Sequence, residues 1–129
     1  MASPATRRPT DLELEILKTL WDQGPSTVRA VMEALSRRRR AGYTTVLKTL
    51  QIMRDKGLVV CDRSQRAHVY RPRHSRQRVV RRLAGDLLER VFEGSTRQLV
   101  LSALEHKKAK PEELDEIRRL LDEVEGRRK

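Results

Sequence analysis

Apolar positions in the first third of the chain recur at the spacing of two amphipathic helices. Thr10 and Glu13 form the pattern of a capping box, and Gly24 ends the helix that they open. Ser26 or Thr27 then caps a second helix. The two apolar faces consist of Leu12, Ile16, Leu20 and Trp21 in the first helix and Val28, Val31, Met32 and Leu35 in the second. Two short helices packed on each other are therefore predicted.

The next segment combines a third helix with a β-hairpin. The helix is expected over about 44–56, and Gly57 stops it. Its inner stripe consists of Val46, Leu50 and Met53. Residues 58–64 and 68–73 are rich in β-formers and flank a polar turn, and Pro72 either puts the second strand at a sheet edge or ends it. Three helices followed by a hairpin are the order of a winged helix-turn-helix.

The C-terminal part carries apolar faces on three further helices. One is expected from near Ser75 to Gly94, a second after the capping residue Ser95, and a third from Pro111. Three such helices cannot all bury their apolar faces within 47 residues, so a second copy of the chain is the expected cover. The residues predicted to form this dimer interface are Leu83, Leu87, Val91, Phe92, Leu99, Val100, Leu104, Leu114, Ile117, Leu120 and Leu121.

The net charge of +11 is distributed unevenly. Residues 1–82 contain 19 Lys/Arg and 7 Asp/Glu, whereas residues 83–129 contain 10 and 11. Such a split favours a nucleic-acid partner over a role in solubility alone. We therefore expect a mainly α fold with a small β-hairpin, in which residues 1–82 form a winged helix-turn-helix DNA-binding domain and residues 83–129 a helical dimerisation domain.

The first turn of the third helix is polar but carries no acid, although the helix dipole favours acids there. Thr44 and Thr45 can donate to phosphates, Lys48 can reach a phosphate or a guanine edge, and Tyr43 can donate or stack on a sugar. An ordinary N-cap explains one threonine without DNA but does not explain Lys48. Leu47 either packs against the second helix, which is the favoured role, or touches a thymine methyl group.

Basic residues of the hairpin are further candidates for DNA contact. Four of them, Arg63, Arg66, His68 and Arg71, can contact the backbone or reach the minor groove. Exposed hairpin charges also protect sheet edges and aid solubility, and this alternative stays open. The same two roles are open for arginines 37–40 and 7–8.

Residues with catalytic or metal-binding chemistry form no recognisable set. Cys61 is the single cysteine, which excludes an intramolecular disulfide, and we expect it to be a small buried apolar residue. The three histidines are scattered, and no nucleophile–base pair or glycine-rich phosphate loop is found. We expect no enzyme, cofactor, metal site or small-molecule substrate. With no long apolar run and no signal-peptide pattern, a cytoplasmic protein is expected.

Five segments resemble the penicillinase-repressor family (BlaI, MecI and CopY type) in their order and spacing. They are LELEILKTLWDQGPSTVRAV (12–31), YTTVLKTLQIMRDKGLV (43–59), RAHVYRP (66–72), FEGSTRQLVLSALE (92–105) and LDEIRRLL (114–121). The resemblance implies a homodimeric winged-helix repressor of a palindromic DNA operator, with intertwined C-terminal helices. Its recognition positions fall on Thr44, Thr45, Leu47 and Lys48.

Two departures from the family pattern bear on regulation. The copper-responsive branch carries paired Cys-x-Cys motifs near its C-terminus, and this chain has none. The β-lactam branch is cut at an Asn-Phe bond by a membrane-bound metalloprotease, and the matching positions here are Ser102 and Ala103. The resemblance implies a membrane-bound sensor protease as a partner, but either a related protease accepts Ser-Ala or the inducing signal differs.

Two other hypotheses use the same features. A sequence-tolerant nucleic-acid binder of the nucleoid type would need the charge but no specific operator. A protein-interaction module would need only the C-terminal apolar faces. Competition between the DNA upstream of the protein's own gene and a random duplex separates the nucleoid-type binder from a repressor, and failure to bind any duplex at low salt would favour the protein-interaction module.

Overall fold

The structure, a computed structural model, describes residues 8–35 and 40–128. The elements in chain order are α1 (Asp11–Gln23), β1 (Ser26–Thr27), α2 (Val28–Leu35), α3 (Tyr43–Asp55), β2 (Val59–Asp62), β3 (Val69–Pro72), α4 (Arg76–Arg90), α5 (Thr96–His106) and α6 (Pro111–Arg128). The chain divides into two units, residues 1–84 and 85–129, and the boundary falls inside α4. Arg7 and arginines 37–39, which were candidates for DNA contact, lie outside the described residues.

Helix α1 begins and ends where its sequence predicts. The Glu13 amide donates to Thr10 Oγ1 at 3.2 Å, and the Thr10 amide donates to Glu13 Oε1 at 2.9 Å, which confirms the capping box. Gly24 ends the helix with φ at 85°, a conformation that glycine adopts without strain. Its amide donates to the Leu20 carbonyl at 2.8 Å, so one of the last free carbonyls of α1 has a partner.

A single apolar core holds the helices and strands of the first unit together. The predicted inner stripe of α3 is fully buried in this core. The buried apolar residues are Ile16, Leu17, Leu20, Val28, Val31, Leu35, Val46, Leu50, Met53, Leu58, Val59 and Tyr70. Because one face of α3 is buried, its opposite face and its first turn are left at the surface.

The sheet has three antiparallel strands in the order β1-β3-β2, and the first three helices with this sheet form a winged helix. Ser26 and Thr27, expected only as helix caps, also form β1, where Ser26 pairs with Tyr70. Thr27 does cap α2, since its Oγ1 accepts from the Ala30 amide at 3.1 Å. The edge position for Pro72 is wrong, because β3 is the central strand. Pro72 is its last residue, and β1 does not pair with it.

An ion pair that the sequence did not indicate joins α1 to the end of α3. Lys56 Nζ donates to both carboxylate oxygens of Glu13, at 2.9 and 3.1 Å. Glu13 is only 2% exposed, so its charge depends on this lysine and on the Thr10 amide for compensation. The pair fixes the C-terminal end of α3 relative to α1.

The start of α4 is tied to α1 by a hydrogen bond. Trp21 Nε1 donates to the His74 carbonyl at 3.1 Å. Ser75 then opens α4, since its Oγ accepts from the Arg78 amide at 3.1 Å. This helix therefore begins at a fixed point of the first unit.

Burial lowers the pKa of His74, and the nearby guanidinium groups of Arg78, Arg73 and Arg82 lower it further.

The end of α4 differs from its prediction. The helix stops at Arg90, so Val91 and Phe92 do not lie on its apolar face as expected. Glu93 and Gly94 have φ of 50° and 82°, which is incompatible with a continuing right-handed helix. The Gly94 amide closes the turn on the Leu88 carbonyl at 2.9 Å.

The last two helices begin as predicted. Ser95 caps α5 by accepting from the Gln98 amide at 3.2 Å, and Pro111 is the first residue of α6. Across the described residues of α4, α5 and α6, no side chain is buried. None of the helices in the described part of the chain has both the length and the apolar composition needed to cross a membrane.

Candidate nucleic-acid interface

The first turn of α3 has an open N-terminus. The helix begins at Tyr43 after Gly42, and no described side chain caps it. Thr44 and Thr45 lie inside the helix and are exposed, so the alternative in which a threonine acts as the N-cap is wrong. Lys48 is also exposed, and the first turn carries no acid. Hydroxyls, free backbone amides and a cation therefore meet the solvent together at the positive end of the helix.

Tyr43 and Leu47 differ from these residues in their surroundings. Tyr43 is 47% exposed, whereas Leu47 is partly buried and packs against the core. Most of the Leu47 side chain is therefore covered by the core, in agreement with the packing role that was favoured for it.

The turn between β2 and β3 presents the basic residues of the hairpin. Arg63, Arg66 and His68 are exposed and form no ion pair with a described residue. The turn is held at its base by Asp62, whose Oδ1 accepts from the Ser64 amide at 2.9 Å. Hydrogen bonds from the Ser64 side chain and backbone lower the pKa of Asp62, and the charge of Arg71 contributes to the same shift.

A cleft of about 440 Å³ lies where α3, α2 and this turn meet. Its described lining residues are Thr27, Val28, Arg29, Tyr43, Leu47, Arg66, Ala67, His68 and Tyr70. Four of the predicted site residues share the cleft, whereas Thr44, Thr45, Lys48 and Arg63 are not among those that line it. Arg29 was not predicted from the sequence. A cation in the first turn of the second helix of a helix-turn-helix was the signal that could have identified it.

Among the described residues, the surroundings of Cys61 do not indicate a catalytic or metal-binding role. It is partly buried rather than fully buried as expected, because β2 is an edge strand of the sheet. Its cross-strand neighbour is Tyr70. Burial raises the pKa of the Tyr70 hydroxyl, and the hydrogen bond to Cys61 adds to this shift. Across the described residues, no three His, Cys, Asp or Glu side chains come together to hold a metal ion.

The residues predicted to dimerise are incompletely covered within the chain. Leu83, Phe92, Leu99, Leu114 and Ile117 are half-buried. The others, Leu87, Val91, Val100, Leu104, Leu120 and Leu121, are exposed by 40% or more. Ser102 and Ala103 are exposed within α5.

Comparison with known proteins identifies relatives of the chain. It is 42% identical over 119 residues to the transcriptional regulator BlaI of Mycobacterium tuberculosis, covering 90% of this chain and 84% of that protein. It is 26% identical over 120 residues to the penicillinase repressor of Bacillus licheniformis, covering 93% and 94%. The solution structure of monomeric B. licheniformis BlaI in complex with the blaP half-operator aligns with a TM-score of 0.49 at 24% identity, over 56% of this chain and 88% of that one.

The curated relatives are named as regulators of transcription and not as enzymes, in agreement with the expectation from the sequence. The model of the penicillinase repressor family matches residues 9–123, which is most of the chain. The resemblance found in the sequence is confirmed, and this chain belongs to the penicillinase repressor family.

Proposed function

We propose that this chain is a cytoplasmic, homodimeric transcriptional repressor that binds a palindromic operator in duplex DNA. The observation that carries the proposal is the exposed, acid-free first turn of α3 beside a basic hairpin turn. In the proposal this end of α3 enters the major groove and the hairpin turn, or wing, lies on the backbone. The DNA-contacting residues are Tyr43, Thr44, Thr45, Leu47, Lys48, Arg63, Arg66 and His68.

The electrostatics of α3 support a polyanion at this end. Uncapped amides and the positive end of the helix dipole stabilise a phosphate. The hydroxyls of Thr44 and Thr45 add donors, and Lys48 lies one turn further along. Each phosphate that such cations neutralise releases counterions, so affinity falls steeply as the salt concentration rises.

The second unit supports a dimer. Its helices expose apolar side chains that a second copy of the chain would cover. Two copies related by a twofold axis carry two α3 helices, which matches a palindromic operator. We expect half-sites separated by about 10 base pairs or a multiple, the spacing of successive major grooves on one face of the duplex.

A competition experiment tests the proposal. The full-length chain is bound to labelled DNA from upstream of its own and neighbouring genes, and unlabelled random duplex is added. We expect random duplex to displace it only at a large excess, and a footprint with two symmetric halves. Equal displacement by both DNAs supports the nucleoid-type hypothesis instead, and no binding to any duplex at low salt supports a protein-interaction module.

Relief of repression by a membrane-bound protease is the final part of the proposal. Ser102 and Ala103 occupy the positions of the family's cleaved pair and are exposed in the unit expected to dimerise. Cleavage there would remove α6 and part of α5 from the interface. Mass spectrometry of the chain from induced cells should find a fragment ending at Ser102. Derepression with an intact chain would contradict this part and leave the DNA-binding proposal standing.

A further inference from the structure

The cleft between α3, α2 and the wing differs from the rest of the basic surface because it combines an apolar floor with a cationic rim. Val28, Leu47 and Tyr70 belong to or pack against the core, and Ala67 closes the floor from the wing. These side chains offer apolar surface at the bottom of an otherwise charged face.

The rim of the cleft carries the charge. Arg29 and Arg66 stand on different elements, α2 and the wing, and His68 lies beside Arg66. Of the described residues that line the cleft, none is acidic. Arg29 and Arg66 form no ion pair within the described part of the chain, so their charges are available to a ligand.

The position of Arg29 is fixed by two contacts near its backbone. Thr27 pairs with Val69 in the sheet, which places the start of α2 beside the wing. Thr27 Oγ1 also accepts from the Ala30 amide at 3.1 Å and so caps the turn of α2 that contains Arg29. The two sides of the cleft are therefore joined through the backbone of β1 and β3 and do not depend on flexible side chains alone.

We infer that this cleft seats one sugar-phosphate strand of the duplex, with a phosphate held by Arg29 opposite Arg66 and a deoxyribose resting on Leu47 and Ala67. The inference rests on the proposed function and adds to it a residue, Arg29, and a surface. Guanidinium groups match phosphate oxygens in geometry, and the sugar is the apolar part of the backbone. The open cleft suits a continuous strand better than a small molecule, which is usually enclosed over most of its surface.

Replacing Arg29 tests the charged rim. Arg29→Ala should weaken binding to operator and to random duplex alike, by about five-fold at 0.15 M salt, and reduce the slope of log K against log salt by about 0.9. The control is Arg81→Ala, which removes an equal charge from an exposed position on α4. Helix α4 follows the C-terminal end of β3, which is the end away from the wing. At that end the Arg73 amide donates to the Leu58 carbonyl at 3.0 Å. The control should leave the slope unchanged.

Filling the floor tests the apolar part without changing charge. Ala67→Leu should weaken binding to every duplex by about ten-fold, because a larger side chain occupies the space of the sugar. Gln65→Leu is the matched control, since Gln65 is exposed in the same turn but is not among the residues that line the cleft. Unfolding curves of both variants should match the wild type.

The outcomes separate this inference from the proposed function. If Arg29→Ala keeps the full salt slope, or weakens binding to one sequence only, Arg29 does not hold a phosphate and the inference fails. If Ala67→Leu binds as tightly as Gln65→Leu, no strand enters the cleft. In either case operator binding by the wild type leaves the repressor proposal intact, whereas a wild type that binds no duplex overturns the repressor proposal itself.

Discussion

The two units of this chain differ in how much of their apolar surface is buried. The first unit buries twelve apolar side chains to 6% exposure or less, and they come from the first three helices, from β2 and β3, and from Leu58 just before β2. The second unit has no buried side chain among its described residues, and most of its leucines and valines are exposed. Charge divides in the same way, because the basic surplus belongs to the residues before 83.

This difference supports the proposal that the second unit is completed by a second copy of the chain, whereas the first unit has a core of its own. A finished core leaves the first unit free to present the start of α3, the cleft and the wing to a ligand. Helices that lack a core need a partner before their apolar faces leave water. Changes in the first unit should therefore alter folding or DNA binding, and changes in the second should alter assembly.

The largest effect is expected from a cavity in the first unit. Leu50 is fully buried on α3, and Leu50→Ala should lower the free energy of unfolding by about 2–5 kcal/mol. Urea denaturation measures the loss. Ile52→Ala, at a position of α3 that is 42% exposed, should cost less than about 1 kcal/mol. Equal losses in the two variants would mean that the two faces of α3 are not different.

A second prediction compares an ion pair from each unit. Glu13→Gln should lower the free energy of unfolding by about 1.5–3 kcal/mol, because it weakens charged hydrogen bonds of a buried carboxylate to Lys56. Asp115→Asn removes an exposed ion pair in which Arg118 Nη1 lies 2.7 Å from Asp115 Oδ1. This change should lower the free energy of unfolding by less than about 1 kcal/mol. A reversed order in chemical denaturation would refute the assignment of the core to the first unit.

A third prediction concerns DNA affinity. Lys48→Ala should weaken operator binding by about 1–3 kcal/mol if the side chain reads a base, or weaken all duplexes alike if it contacts phosphate. Fluorescence titration with operator and random duplex distinguishes the two cases. Lys110→Ala, an exposed lysine of the second unit, should leave DNA affinity unchanged. Unchanged binding by the Lys48 variant would remove this residue from the interface.

A fourth prediction concerns assembly. Leu121 is 62% exposed, and Leu121→Ala should weaken dimerisation by about 1–2 kcal/mol while the first unit unfolds as before. Sedimentation equilibrium measures the dissociation constant, with the adjacent Asp122→Ala as the control. A wild-type chain that stays monomeric at micromolar concentration would contradict the role assigned to the second unit.

The smallest effect is expected from pH. The pKa of His74 is lowered, so the folded chain binds a proton less readily than the unfolded chain. The free energy of unfolding should therefore decrease as the pH falls from 6.5, the ordinary pKa of histidine, towards the lowered pKa of His74. Above pH 6.5 this histidine should have no effect on stability. His74→Gln should show a shallower decline between pH 7 and 5 in denaturation experiments, and an unchanged profile would exclude this group.

The helix boundaries were predictable wherever the signal is local. The capping box at Thr10, the stop at Gly24, the cap at Ser95 and the start at Pro111 depend on residues within one turn of each other. The stop at Gly94 was predicted, and the backbone at Gly94 does leave the helix, but α4 already ends at Arg90, which the apolar pattern continuing through Val91 and Phe92 did not indicate. In the candidate site, the first turn of α3 was identified from sequence, whereas Arg29 was recognised only from the structure, where the pairing of Thr27 with Val69 brings the start of α2 to the wing.

The sequence by itself determined the order of elements, the inner stripe of α3 and the uneven charge, since each depends on spacing or composition along the chain. Only the tertiary structure decided that Ser26 and Thr27 join the sheet, that Glu13 pairs with Lys56 43 residues away, and that α2 and the wing enclose a cleft. Those features need residues distant in sequence to meet, and only the packing of the whole core determines which of them do so.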